Sequence, residues 1–115
     1  MHTEQAFVGD GMEFEAVIPR SPGIHPRAAI TYRPCTAEER NKYLRSDMAK
    51  RASEAAELIG KHVKEWDLRQ KADGPVAEVS RKLAEKLQPM LQDKIIDLLT
   101  GYAGSAEEAT DLKNS

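Results

Sequence analysis

Between Ala37 and Trp66 the chain contains no proline, and Leu44, Met48, Ala52, Ala55, Ile59, Val63 and Trp66 recur at spacings of three and four. Apolar residues at that interval share one face of an α-helix, so the spacing predicts one long amphipathic helix over this stretch. Thr36-Ala37-Glu38-Glu39 stands at its head. It has the form of a capping box, in which Thr36 accepts from a first-turn amide and Glu39 reaches back to the cap amide. The middle of the stripe is alanine, which buries little area but lets a neighbouring backbone come close. The expected neighbour is another helix.

Upstream, Met12, Phe14, Ala16 and Ile18 alternate with Glu13, Glu15 and Val17, the period of a strand with one face buried. Pro19, Pro22, Gly23 and Pro26 then interrupt regular structure. Ala28 to Arg33 supplies a second strand with Ile30 and Tyr32 on one face, and the two strands are expected to pair as an antiparallel hairpin. A lone hairpin is marginal in water and needs a cover.

Downstream, Ala72-Asp73-Gly74-Pro75 is a turn, and a short extended piece fits Trp66 to Leu68. Val76, Val79, Leu83 and Leu87 mark a short helical face that Ser80 can recap. Pro89 suits the first turn of a last helix whose apolar set is Met90, Leu91, Ile95, Leu98 and Leu99, and Gly101 can end it in a left-handed cap. The expected fold is α+β and mainly α-helical: an N-terminal β-hairpin, one long amphipathic helix, then two shorter helices packed against it. Residues 1–11 are expected to be a flexible arm, 12–103 a single domain and 104–115 a flexible tail.

The chain has 115 residues, 40% hydrophobic and 31% charged, enough for one modest core under an ionic surface. With 17 basic and 19 acidic residues the net charge is -2, which argues against a duplex-binding surface. Aromatic residues are only 5% of the chain, too few for a platform on which RNA bases stack. The N-terminal stretch has acids at Glu4 and Asp10 and no apolar run, so neither an export signal nor a membrane span is expected. With Cys35 as the single cysteine, no intrachain disulfide can form and a reducing cytoplasm is the expected setting.

Catalytic and metal chemistry find little support. His2, His25 and His62 lie in separate segments without metal-ligand spacing. His62 and Glu65, three apart on the expected helix, read as a surface pair. Cys35 precedes the helix cap, where a helix dipole lowers a thiol pKa, yet no base or orienting acid accompanies it; its other reading is a small buried apolar group. Glu38-Glu39 reads as cap chemistry and Glu107-Glu108 as solvating charge. Gly9-Asp10-Gly11 lacks the context of a nucleotide loop. Lys42, Arg45, Lys50, Arg51, Lys61 and Lys64 are interleaved with Glu38, Asp47, Glu54, Glu57 and Glu65, the pattern of a solvated face. No catalytic residue, cofactor or metal is expected.

A set of landmarks runs in order through the chain: Phe14-Glu15-Ala16-Val17-Ile18-Pro19 with Pro22-Gly23, Thr31-Tyr32-Arg33-Pro34, a long charged helix, Glu65-Trp66-Asp67-Leu68, Asp73-Gly74-Pro75-Val76, and Leu87-Gln88-Pro89 opening the last helix, with Lys113-Asn114 near the end. Together they resemble the tail assembly chaperones of long-tailed bacteriophages and prophages over Met12 to Tyr102. The resemblance implies a non-enzymatic protein that binds the tape measure protein, keeps its apolar helices soluble and helps recruit tail tube subunits. It also implies the cytoplasm of the bacterial host, absence from the mature virion, and a longer frameshifted product of which this chain is the short form. Homo-oligomerisation is compatible with the hairpin edge and the long helix. Nucleic acid and membrane are not expected partners. Other readings are a structural neck or tail completion component and a small regulatory nucleic-acid binder.

On this reading Leu44, Met48, Ile59, Val63 and Trp66 are the candidate protein-interaction residues, although for each of them plain intramolecular core is the reading that ordinary burial favours. Trp66 leads because tryptophan is enriched at binding hot spots; its alternative role is to anchor the helix end to the hairpin.

Overall fold

The computed structural model describes residues 13–101, a small α+β globule. The flexible arm expected at residues 1–11 and the flexible tail expected at 104–115 lie outside the described residues. Strand β1 (Phe14–Ile18) pairs antiparallel with β2 (Ala28–Tyr32) in the register Phe14↔Tyr32, Ala16↔Ile30 and Ile18↔Ala28. This register puts Ala16, Ile18, Ala28, Ile30 and Tyr32 on one buried face. The loop between them is shaped by Ser21-Pro22-Gly23-Ile24. Proline at the second position, a φ of 76° at Gly23 and an Ile24 N–H donated to Ser21 O at 2.9 Å form a type II pattern.

Thr36 caps helix α1 (Ala37–Arg45) by the expected box: its Oγ1 accepts from Glu39 N–H at 3.2 Å, and Glu39 Oε1 accepts from Thr36 N–H at 3.1 Å. The single helix expected from Ala37 to Trp66 does not form. The chain bends at Ser46-Asp47, continues as α2 (Met48–His62), and then becomes a third strand, β3 (Val63–Trp66). Both departures have local causes. Ser46 Oγ donates to Tyr43 O at 2.7 Å and Asp47 Oδ1 accepts from Lys50 N–H at 3.1 Å, so two side chains that compete with helical backbone end one helix and cap the next.

The second departure is a matter of period. Strand β3 pairs with β2 through Ile30↔Trp66, Thr31↔Glu65 and Tyr32↔Val63, with a bulge that leaves Lys64 as the extra residue. Strict alternation would send Val63 and Trp66 to opposite faces. The bulge returns both to the buried face, so a spacing of three that reads as helical arises from a strand.

Beyond a turn bridged at Arg69↔Val76, Ser80 caps a short helix α3 (Arg81–Glu85) by accepting Leu83 N–H at 3.1 Å. The short helical face expected from Val76 to Leu87 shrinks accordingly, and Val76 is exposed. Helix α3 packs on α2 at Gly60, where an added Cβ would stand 3.0 Å from the backbone nitrogen of Arg81. Ala55 and Ala56 of α2 and Ala84 of α3 are all buried.

Helix α4 (Pro89–Thr100) starts with proline in its first turn and ends at Gly101 with φ 82°. It buries Leu91, Ile95, Ile96, Leu98 and Leu99, which join the sheet face and α2 in a single apolar cluster; Met90 stays exposed. Leu99 O accepts the Cys35 N–H at 2.8 Å, joining the α1 entrance to the end of α4.

Candidate protein-interaction site

The five residues singled out by the sequence separate into two groups. Ile59, Val63 and Trp66 are buried in the core. Trp66 pairs with Ile30 across the sheet and its indole N–H donates to Ala77 O at 2.7 Å, so it anchors the third strand to both β2 and the segment after the turn. Leu44 and Met48 lie on either side of the bend and are 40% and 89% exposed. Of the five, only these two are exposed.

The bend that displays them is built from polar parts. Helix α1 buries none of its residues, so little apolar burial holds it to the body. Arg51, one turn into α2, donates to the carbonyls of Leu44 at 3.2 Å and Ser46 at 2.9 Å. Those carbonyls lose helical partners where α1 stops, and the guanidinium satisfies them. The same guanidinium lies 5.6 Å from the Tyr43 ring centroid. Glu38, Lys42, Arg45, Asp47, Lys50 and Glu54 line a cleft of about 700 Å³ between the two helices, a surface of mixed charge at the bend.

At the other end of α1, Glu39 is the latch. Its Oε2 accepts from Lys61 Nζ at 2.8 Å and stands 2.8 Å from Nε2 of His62, a side chain almost wholly buried at the end of α2. Partial burial pushes the Glu39 carboxyl up, but hydrogen bonds from Lys61, His62 and the Thr36 amide outweigh it and hold the group down to about 2. The expected His62–Glu65 pair is replaced by this contact, because His62 closes a helix and Glu65 belongs to a strand. Cys35 lies beside the latch. Burial, reinforced by the charge of Glu39 and opposed by Lys61, pushes its thiol up to about 12, the reverse of the helix-dipole expectation.

A second buried histidine is structural. His25, in the β1–β2 loop, makes a 2.8 Å contact from Nδ1 to Pro26 O and a 2.9 Å contact from Nε2 to Lys94 Nζ. With Nε2 accepting from the ammonium, Nδ1 is the donor, and the loop is fixed onto α4.

Sequence reasoning missed four participants: Ser46, Asp47, Arg51, and Glu39 as a tertiary latch. The Ser-Asp pair inside an apolar period carries a local signal, since both residue types favour caps over helix interiors. The Glu39–His62 contact carries none, because its partners are far apart along the chain. Among the described residues, no group of three or more His, Cys, Asp or Glu is placed to hold a metal ion, and no helix is long and apolar enough to cross a membrane. No protein-family model, curated protein or solved structure matches this chain.

Proposed function

We propose that this chain is a tail assembly chaperone of the long-tailed bacteriophage type, which holds the tape measure protein and helps recruit tail tube subunits without making or breaking a covalent bond. The observation that carries the reading is the α1–α2 bend: Leu44, on a helix that buries none of its residues, and Met48, at the start of the next helix, are both exposed, beside a cleft lined by charges of both signs. Such a surface takes the apolar stripe of a client helix while its rim stays wet. Burying an exposed methionine is worth about 1.5–3 kcal/mol, so a few contacts of this size suffice for a reversible hold. The ordered landmarks from Phe14 to Pro89 support the same reading and name the client. The chaperone acts in the host cytoplasm and leaves before the particle is complete.

Co-expression with the tape measure protein tests this. The expected result is co-purification and a gain in soluble client, lowered by roughly tenfold in Leu44→Glu or Met48→Glu, which place a charge where the stripe would sit. Absence of co-purification, or a stoichiometric copy of this chain in purified virions by mass spectrometry, overturns it.

A further inference from the structure

The bend between α1 and α2 is held by side chains rather than by any residue that forbids a helix. Ser46 and Asp47 are both extended, with φ of -69° and -74°, and neither proline nor glycine occupies the link. What stabilises the bend is the Asp47 cap on Lys50, the Ser46 hydroxyl on Tyr43 O, and Arg51 on the carbonyls of Leu44 and Ser46. Were both residues to take helical angles, Leu44 O would accept from the Met48 amide instead. The two helices would then fuse into one from Ala37 to His62, about 39 Å long at a rise of roughly 1.5 Å per residue.

The sequence is already in register for that longer helix. Leu44, Met48 and Ala52 fall on the same stripe as Ala55 and Ile59, which are buried, whereas the first three are exposed. Asp47 would come to lie one turn before Arg51, the favourable order for an acid and a base on a helix. Straightening within one molecule is ruled out by the core, because it would strip β1 and β2 from β3 and uncover Ile18, Ile30 and Tyr32.

We infer that two copies of this chain exchange residues 13–45 through a straightened Ala37–His62 helix, forming a domain-swapped dimer. Every interface remade in the dimer is continuous with one already present in the monomer. Strand β2 of one copy pairs with β3 of the other in the register Thr31↔Glu65, and Glu39 of one meets Lys61 and His62 of the other with the same charge complementarity. The added contact is the crossing of two long helices at the former bend. The residues there are Leu44 and Met48, which the monomer leaves in solvent. Since the remaining contacts are common to both forms, the equilibrium is set by the hinge and by concentration.

Refolding the intact chain at micromolar and at millimolar concentration, followed by size exclusion with light scattering, is the direct test, with dimer expected after refolding at the higher concentration. Met48→Pro is the discriminating variant. Position 48 opens α2, where proline is favoured, and Asp47 before it is already extended. In the fused helix the same ring would clash with the Leu44 carbonyl. Met48→Pro should therefore keep the monomer's circular dichroism and lower the dimerisation constant by about ten-thousandfold, the equivalent of the ~3 kcal/mol an interior proline costs in each of the two fused helices. Met48→Ala, which removes the side chain but suits a helix, loses only the crossing contact and should weaken dimer formation less than Met48→Pro does. Exchange itself is read from Thr31→Cys/Glu65→Cys, whose oxidised dimer should run as a covalent dimer on a non-reducing denaturing gel. A chain that stays monomeric at millimolar concentration, a double variant that runs as a monomer, or a Met48→Pro chain that dimerises like wild type overturns the inference. None of these readouts involves a client, so their failure is separable from failure of the chaperone reading.

Discussion

Glu39 does three jobs with one carboxylate: it closes the capping box, accepts Lys61, and meets nearly buried His62. Its carboxyl is held at about 2 against an ordinary 4.5. Because the folded value is the lower one, its contribution to stability is complete above the ordinary value and is lost as pH falls through about 2. Glu39→Gln should therefore cost about 1–3 kcal/mol at neutral pH, measured as a shift in urea midpoint. The gap between variant and wild type should narrow as pH drops from 4.5 and vanish below about 2; a gap independent of pH contradicts the assignment. Cys35 gives a complementary test. With its thiol buried and raised to about 12, it should resist a disulfide-exchange reagent in the native protein at mildly alkaline pH and react at once in denaturant.

At the scale of elements, β3 carries a single inserted residue, Lys64. Removing Lys64 would leave Val63 and Trp66 two positions apart, so regular alternation keeps both on the buried face and the deletion should leave β3 paired with β2 in the same register. The measurement is Trp66 fluorescence, expected unshifted in the deletion as in Lys64→Ala; a red shift confined to the deletion contradicts the bulge assignment. Gly60→Ala should loosen α2 against α3, because its methyl would press on the Arg81 backbone at 3.0 Å; a loss of about 1–3 kcal/mol is expected by thermal denaturation. These elements also show which features the sequence announces. Thr36-Glu39, Ser80, Pro89 and Gly101 are each read correctly, because a cap is a bargain between neighbours along the chain. The alternation of Ala16, Ile18, Ile30 and Tyr32 is legible for the same reason. Val63 and Trp66 mislead, since a bulged strand and a helix both place residues three apart on one face. The bend at Ser46-Asp47 is hidden by an apolar stripe that runs unbroken through it. Of the five candidate interaction residues, spacing alone could not separate Leu44 and Met48 from the buried three, because that distinction is made by the bend.

For the molecule as a whole, one apolar cluster joins the sheet, α2, α3 and α4. Ile95→Ala, at a fully buried site of α4, should cost about 2–5 kcal/mol. It should shift the Trp66 fluorescence and far-ultraviolet dichroism transitions together, as a single cooperative unit requires; two separated transitions would divide the cluster. The order in which the cluster is supplied matters too. The ribosome delivers the sheet and α2 first, whereas Leu91, Ile95, Ile96, Leu98 and Leu99 arrive with the last described helix. A nascent chain stalled at Gln88 thus carries a sheet with no floor beneath it, and Cys35 awaits the Leu99 carbonyl. Completion of this fold therefore waits for α4 to emerge, and until then its greasy face is itself a substrate for the cell's holdases.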